Sequence, residues 1–590
     1  MIRKTTFFVL LIVLAVLLFL NPNFKTISAG VAILLFGMIM LEEGFKTFTK
    51  GPLQNILKKA TDKLYKSITA GAFITALIQS SSLVSVITIS FISAELITLA
   101  GGIGLIFGSN IGTTVTAWLV AGFGLKIKVS ALAMPMLIFG IIFSFQKKPT
   151  LKGIGNVLAG LGFFFLGIHY MKEGFDVFKD YLDLSQYAVS GFLGVIIYSG
   201  LGIIITTILQ SSSATLALIL TALAAGQIEY ENALALAIGA NIGTTITAVL
   251  GSLSSNAAGR RLAGAHLIFN VITGLIAVAF IFPLARLVNN LSEVMQIANN
   301  NYTLKLALFH TIFNVIGVVV MIPFIKKLEC LLLRVVKEKP NTDKDVDEPK
   351  YLNSAVLKFP AAAISALINE SKYLYKNSIF EIVAHALNIH REDIKSDEKI
   401  KKIIKKSNID FKTDVEELYY TKVKIIYGEI IGYAATAQSD LKLNKKQTKT
   451  VSDIKIANRK MVEIVKEVKE LNKNITMASA SDNKYMQNEY NGFRKKLTKV
   501  LRVIYLFRTE ADYEDYALKL KELKKEAKAN IRHSNKSIDK LIRKNLITAE
   551  MASSLFNDYT NVNDIINKLI EIAELLYGKK DTLIENRDLK

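Results

Sequence analysis

The chain has 590 residues, 51% of them apolar, a net charge of +22 and a mean hydropathy of +0.35. These averages join two unlike parts: residues 1–340 hold 25 Lys/Arg and 13 Asp/Glu, whereas residues 341–590 hold 47 and 37. The first part is too poor in charge for a soluble domain and the second too rich to lie in lipid, which excludes a single soluble enzyme. The single cysteine, Cys330, excludes an intramolecular disulfide and any Cys-built zinc or iron–sulfur cage.

In chain order, charge-free apolar stretches fall at 7–20, 28–41, 68–94, 101–125, 129–145, 153–171, 188–228, 233–258, 262–285 and 306–325. Several reach the roughly 20 residues that a helix needs to cross hydrocarbon. The first follows Arg3 and Lys4 without a clear small-residue cleavage site, so it reads as an uncleaved anchor helix. Stretches 68–94 and 188–228 are interrupted midway by Gln-Ser-Ser-Ser. A polar tetrad at bilayer depth is tolerated only where protein or water satisfies it, which a re-entrant hairpin with the tetrad at its tip would do. Eight spans and two such hairpins place the clustered basic loops, such as Lys147-Lys148, Arg260-Arg261 and Lys326-Lys327, on one side. By the positive-inside rule that side is the cytoplasm, with both termini there and the chain multi-pass in the plasma (inner) membrane. The same rule and the anionic lipid surface account for the basic excess without nucleic acid.

The same words occur twice. Gly37 to Gly44-Phe45 has its echo in Gly167 to Gly174-Phe175, 130 residues on. Gln79-Ser80-Ser81-Ser82 recurs as Gln210-Ser211-Ser212-Ser213, and Asn110-Ile111-Gly112-Thr113-Thr114 as Asn241-Ile242-Gly243-Thr244-Thr245, both 131 on. Motifs in one order at one offset mark a duplication, about 28–146 and 152–285. Three crossings per copy would turn the second upside down, a plan found in secondary transporters that bind substrate near the midplane. The fold expected is all-α: a polytopic membrane domain of two inverted repeats with re-entrant hairpins over 1–339, a linker over 340–354 and a cytoplasmic helical bundle over 355–590.

Each tetrad offers hydroxyls, an amide and the free N–H groups that open the following half-helix, which together suit an anion. The Asn-Ile-Gly-Thr-Thr segments offer neutral oxygens that suit a small hard cation, and no acid or base lies in 68–94, 96–125, 129–146, 188–228 or 233–259. Neutral ligands favour Na⁺ over a proton relay. The bland alternatives are hydroxyls bonded to their own helix and glycines that only pack helices. A second repeated word, His266-Leu267-Ile268-Phe269-Asn270 and His310-Thr311-Ile312-Phe313-Asn314, places His and Asn on one helix face. It either lines the site or bonds between helices. Glu43 and Glu173 sit near predicted membrane edges, where capping or ion pairing suffices.

At the paired tetrads and Asn-Ile-Gly-Thr-Thr words the sequence resembles the sodium/phosphate cotransporter family, the bacterial relatives of the type II cotransporters, over about residues 28–325. The resemblance implies Na⁺-coupled import of inorganic phosphate by alternating access, and the sequence shows no nucleophile–base pair, phosphate-binding loop or metal cluster that would suggest an enzyme. It implies that Ser80, Ser81, Ser82, Ser211, Ser212, Ser213, Asn110 and Asn241 contact phosphate. Gln79, Gln210, Thr113 and Thr244 would hold sodium, with no other metal. The family's mammalian members carry an aspartate near the first repeat that Ala131-Leu132-Ala133-Met134-Pro135-Met136 lacks. The tail, with apolar residues such as Val415, Tyr419, Val423, Ile426 and Ile430 at helical spacing, is similar to PhoU-type domains and would engage a regulatory protein or a second copy. The rivals are a carrier of another oxyanion and a membrane-anchored sensor that binds phosphate without flux.

Overall fold

The computed structural model describes residues 12, 15, 16, 18–49, 60–125, 129–179, 184–338, 347–407, 414–509 and 513–578. All regular structure among these residues is helical. Two compact units divide the chain, Met1–Glu338 and Lys339–Lys590.

In the first unit α1 (Pro22–Thr49) precedes α2 (Leu64–Ile78) and α3 (Ser81–Ser93). Next come α4 (Leu99–Leu119, prolonged by a π turn to Gly124), α5 (Val129–Ser144) and α6 (Pro149–Lys179). The second copy continues with α7 (Gly191–Leu209), α8 (Ser212–Ala224), α9 (Tyr230–Gly243), α10 (Thr245–Ser252) and α11 (Ala257–Ala279). Then follow α12 (Ile281–Val294), α13 (Tyr302–Met321) and α14 (Ile325–Val335). Elements thus recur on the duplication: α3 and α8 are both 13 residues long and begin 131 residues apart. At 1.5 Å per residue each is about 20 Å long, too short to cross a bilayer.

Glycine decides how these helices meet. Along α1 and α6 a Cβ on Gly30 would meet Gly167 O and one on Gly37 would meet Gly160 O, at 2.8 and 2.7 Å. A Cβ on Gly44 would lie 2.9 Å from Gly153 O. The pairing runs in opposite senses along the two helices, so α1 and α6 are antiparallel and in backbone contact. The same device seats α2 on α4 and α7 on α9. A Cβ on Gly108 would lie 1.9 Å from Ile68 O, and one on Gly239 2.0 Å from Ser199 O. Gly112 and Gly243 approach Ala72 O and Ile203 O in the same way. The motif glycines are therefore packing residues, the bland alternative weighed for them. Small residues serve this purpose in membrane helices because lipid gives helices no hydrophobic reason to associate.

Seven helices among the described residues are long and apolar enough to span: Phe24–Phe45, Leu99–Gly124, Pro149–Phe178, Gly191–Leu209, Tyr230–Ser252, Ala257–Ala279 and Tyr302–Val335. Six coincide with the expected spans. The stretch 7–20 falls mostly outside the described residues. The expected span 129–145 is a helix of 16 residues with Pro135 inside, and Gly191–Leu209, read as a hairpin arm, is long enough to cross alone. The expected span 262–285 ends at Ala279, and residues 281–294 form the amphipathic α12, which buries Ile281, Leu284 and Val288 and exposes Phe282, Leu287 and Leu291.

The second unit is a helical bundle. It contains α15 (Pro360–Tyr373), a π turn, α16 (Phe380–Ala386), α17 (Lys424–Asp440) and α18 (Lys445–Ala480). It ends with α19 (Lys484–Thr509), α20 (Tyr513–Arg543) and α21 (Ala549–Tyr577). One apolar core holds Leu367, Ile430, Ile464, Phe493, Leu501 and Ile566. Asn444 and Gln447 close the start of α18 as a capping box. The buried Glu370 carboxylate accepts the backbone N–H groups of Lys350, Tyr351 and Leu352, tying down the segment that enters the bundle. Burial pushes the Glu370 carboxyl above the usual carboxylate range, and those three N–H bonds oppose the shift.

Candidate functional site

The two tetrads adopt one backbone geometry. Gln79 and Gln210 end α2 and α7 in the left-handed region, at φ 59° and 52°. Such a residue stops a helix sharply, and the next residue is extended and caps a new helix. Ser80 Oγ accepts the Leu83 N–H at 3.3 Å, and Ser211 Oγ accepts the Ala214 N–H at 3.2 Å. Each tetrad thus sits at a break between two half-helices, with the opening N–H groups of α3 and α8 beside its serines. Such an end attracts negative charge.

The structure brings the two tetrads together. Thr116 Oγ1, on α4, donates to Gln79 Oε1 at 2.8 Å and lies 3.2 Å from Ser213 Oγ. Thr116, Ser212 and Ser213 are buried, whereas Ser80, Ser81, Ser82 and Ser211 are half-buried and Gln210 is exposed. One hydroxyl therefore joins residues 134 positions apart, Gln79 and Ser213, inside the unit. Behind the second break, Thr206 Oγ1 donates to Thr215 Oγ1 at 3.0 Å. Thr116 was missed from the sequence, although Thr247 stands at its repeat position and marks it as a recurring polar group.

A carboxylate reaches the first tetrad. Ser80 Oγ donates to Glu42 Oε2 at 3.1 Å and lies 3.3 Å from Ser82 Oγ. The sequence singles out Glu43, whereas the contact is made by its neighbour Glu42. The available signal was the contrast between Leu41-Glu42-Glu43-Gly44-Phe45 and Met171-Lys172-Glu173-Gly174-Phe175, in which Lys172 replaces Glu42. Glu173 itself faces His169 at 3.9 Å on an exposed surface.

The other motif residues divide. Thr113 and Thr244 spend their hydroxyl protons on the carbonyls of Ser109 and Ala240, both at 2.9 Å, which leaves only lone pairs for a ligand. Asn110 donates to its own helix at Ile106 O, 2.9 Å. Asn241 instead reaches across helices: its Nδ2 lies 3.2 Å from Asn314 Oδ1 and 3.5 Å from Asn270 Oδ1. The asparagines of both His-x-Ile-Phe-Asn words therefore converge on the second Asn-Ile-Gly-Thr-Thr word. The adjoining Phe269 stacks on Phe107 at 4.2 Å, and Trp118 Nε1 donates to Thr311 Oγ1 at 2.9 Å, so these words also join α11 and α13 to α4.

Comparison with known proteins matches this unit. The family model for the Na⁺/Pi-cotransporter matches residues 33–173 and 192–326, each block holding one tetrad. A Salmonella typhimurium protein named "Putative inorganic phosphate export protein YjbB" is 27% identical over 344 residues, 58% of this chain and 61% of that protein. Its Escherichia coli K12 counterpart is 27% identical over 349 residues, with the same coverage. The chain thus spans under two thirds of the length of these relatives. "Uncharacterized protein YqeW" of Bacillus subtilis is 28% identical over 268 residues, 45% of this chain and 85% of that protein. No solved structure matches significantly. With a family match laid over both tetrads, the multi-pass unit of this chain is similar to the Na⁺/Pi-cotransporter family.

Proposed function

We propose that the protein is a secondary transporter that carries inorganic phosphate across the membrane together with Na⁺ by alternating access. The observation that carries this reading is the Gln79–Thr116–Ser213 link through the buried Thr116, which brings both tetrads to one place. There the serine hydroxyls and the N–H groups opening α3 and α8 provide donors for a tetrahedral oxyanion. The ligands are neutral except for Glu42, so bound cation and anion supply each other's counter-charge, and each favours binding of the other.

In this reading the two copies are inverted repeats and the half-helix pairs are re-entrant hairpins. The antiparallel α1–α6 pairing supports inversion, and the short α3 and α8 support hairpins. Two copies facing opposite leaflets give two pseudo-equivalent end states, open to each side. Both termini lie in the cytoplasm, and the second unit is a PhoU-like module that regulates or assembles the carrier. Flux runs inward where the Na⁺ gradient runs inward. The relatives named for export fit a carrier whose direction is set by its gradients.

The test is ³²P-phosphate flux in proteoliposomes carrying the full chain. An inward Na⁺ gradient is expected to drive accumulation, and reversing the gradient to drive efflux. Flux that ignores Na⁺ would remove the coupling. Phosphate binding without any flux would make the protein a sensor.

A further inference from the structure

The loop between α3 and α4 and the loop between α8 and α9 are built alike. Leu96 N–H bonds to Phe91 O at 2.9 Å, and at the repeat positions Gln227 N–H bonds to Ala222 O at 2.9 Å. Both turns close a helix through a left-handed residue, Gly226 at φ 68° in the second copy and Glu95 at φ 54° in the first. Glycine adopts that conformation freely, whereas a residue with a side chain is strained in it. A carboxylate kept at a glycine position points to a use for that side chain.

Glu95 lines a cavity of about 360 Å³ between the α3–α4 loop, the start of α11 and α14. Ile92, Leu96 and Leu333 make its apolar walls, and its charged side chains are Glu95, Arg261 and Glu329. Neither carboxylate has a hydrogen-bond or ion-pair partner among the described residues. The Arg261 side chain is only 11% exposed. Its Nε donates to Val336 O at 2.9 Å, and its Nη1 lies 3.8 Å from Glu338 Oε1. That leaves Nη2 to donate elsewhere. One cavity thus joins two open carboxylates to a guanidinium with donors to spare.

The cavity also has a definite depth. The spans Leu99–Gly124 and Ala257–Ala279 begin beside it, and Tyr302–Val335 finishes there. Its mouth therefore lies at one surface of the bilayer, at the level of the lipid headgroups. A zwitterionic phospholipid matches what the cavity offers. Its ammonium would sit between Glu95 and Glu329, its phosphate against Arg261, and its glycerol end against Ile92, Leu96 and Leu333. A primary ammonium brings three N–H donors to the carboxylates, whereas a quaternary one brings none. An anionic headgroup without an ammonium would set its charge against both carboxylates.

We propose that this cavity binds a phospholipid with a primary ammonium headgroup, held by Glu95, Glu329 and Arg261 where the α3–α4 loop meets α11 and α14. The site does not depend on what the tetrads carry. The bound headgroup braces the far end of α3, the helix that opens at the first tetrad, against α14, the last helix before the second unit. Charges that are merely solvated at the membrane edge would show no preference among headgroups.

The test is native mass spectrometry of the purified full-length protein, released from detergent that holds phosphatidylethanolamine, phosphatidylcholine and phosphatidylglycerol in equal amounts. One phosphatidylethanolamine is expected to be retained about tenfold over either of the others. Glu329→Gln and Glu95→Gly are each expected to cut that preference about fivefold or more. Glu95→Gly carries a second readout, its thermal unfolding in detergent without lipid. Glycine suits the left-handed turn, so the midpoint is expected to rise while lipid retention falls. A wild-type protein that retains the three lipids equally, or retains none, would overturn the site. So would wild-type retention of phosphatidylethanolamine in both variants. A Glu95→Gly protein that is less stable without lipid would show the side chain serving the fold, and would overturn it as well.

Discussion

The two copies in the membrane unit share a scaffold and differ in chemistry. Their backbones agree closely at the tetrads: a left-handed glutamine, an extended capping serine and a 13-residue helix in each. Around that frame the side chains part. The first tetrad meets the Glu42 carboxylate, and its glutamine is held by Thr116. In the second, Gln210 is exposed, Ser212 and Ser213 are buried, and Lys172 stands where Glu42 would be. The α4 helix continues where the α9–α10 ladder breaks. Duplication supplied two equal halves whose shape is dictated by backbone contact. Polar positions that do not bear on that contact differ between the copies.

The shared part of the comparison is tested by the largest effect. Gly108→Ala and Gly239→Ala would each push a methyl group into a backbone carbonyl, from contacts of 1.9 and 2.0 Å. Neither carbonyl is a flexible side-chain end, so both helices must separate. Each substitution is expected to destabilise the unit by on the order of 3 kcal/mol. Gly200, in α7, has nothing within 4 Å of an added Cβ, and Gly200→Ala is expected to be neutral or slightly stabilising. Thermal unfolding of the three variants in detergent decides this. A Gly108 variant as stable as the Gly200 variant would mean that α2 and α4 are not in backbone contact.

The next effect separates the copies. Thr116→Val keeps the shape and removes the hydroxyl that joins Gln79 to Ser213. Leaving a buried polar partner unmet costs about 1.4 kcal/mol, so phosphate flux is expected to fall about tenfold. Thr247 occupies the equivalent place but turns its hydroxyl to Thr244 O of its own chain segment at 2.8 Å. Thr247→Val is therefore expected to keep flux within about a factor of two. Equal losses in both variants would show that the link is not what unites the tetrads.

Much of this was legible beforehand, for physical reasons. Hydropathy located the spans because lipid penalises charge, and the fixed offset revealed the duplication because related copies keep their length. In the tail, Val415, Val423, Ile426 and Ile430, expected at helical spacing, are all buried in the bundle's apolar core. What remained hidden is contact across helices. The Glu42–Ser80 bond, the Thr116 bridge and the meeting of Asn241 with Asn270 and Asn314 join residues 29 to 97 positions apart. Periodicity orders residues on one helix and says nothing about which face meets which neighbour. Even so, the Glu42-for-Lys172 exchange was in view, and aligning the copies residue by residue would have exposed it.

The smallest expected effect bears on that exchange. Glu42→Gln keeps an oxygen for the Ser80 hydroxyl but removes the negative charge, while Lys172→Gln removes a positive charge at the equivalent place. A unit charge within a few ångströms of a partly solvated ion changes its binding by about 1 kcal/mol, hence about fivefold. The Glu42 variant is expected to need about five times more Na⁺ for half-maximal flux, with its phosphate dependence little changed. The Lys172 variant is expected to show the reverse, a weakened phosphate dependence at unchanged Na⁺ dependence. The double variant is the sharper measurement, because charges acting on one shared site should give non-additive shifts, whereas charges far apart should add. If both substitutions move the same ion's dependence, the copies share one mixed site and the charges at 42 and 172 act on it together. If neither moves anything, the division of labour between the tetrads rests on their uncharged groups alone.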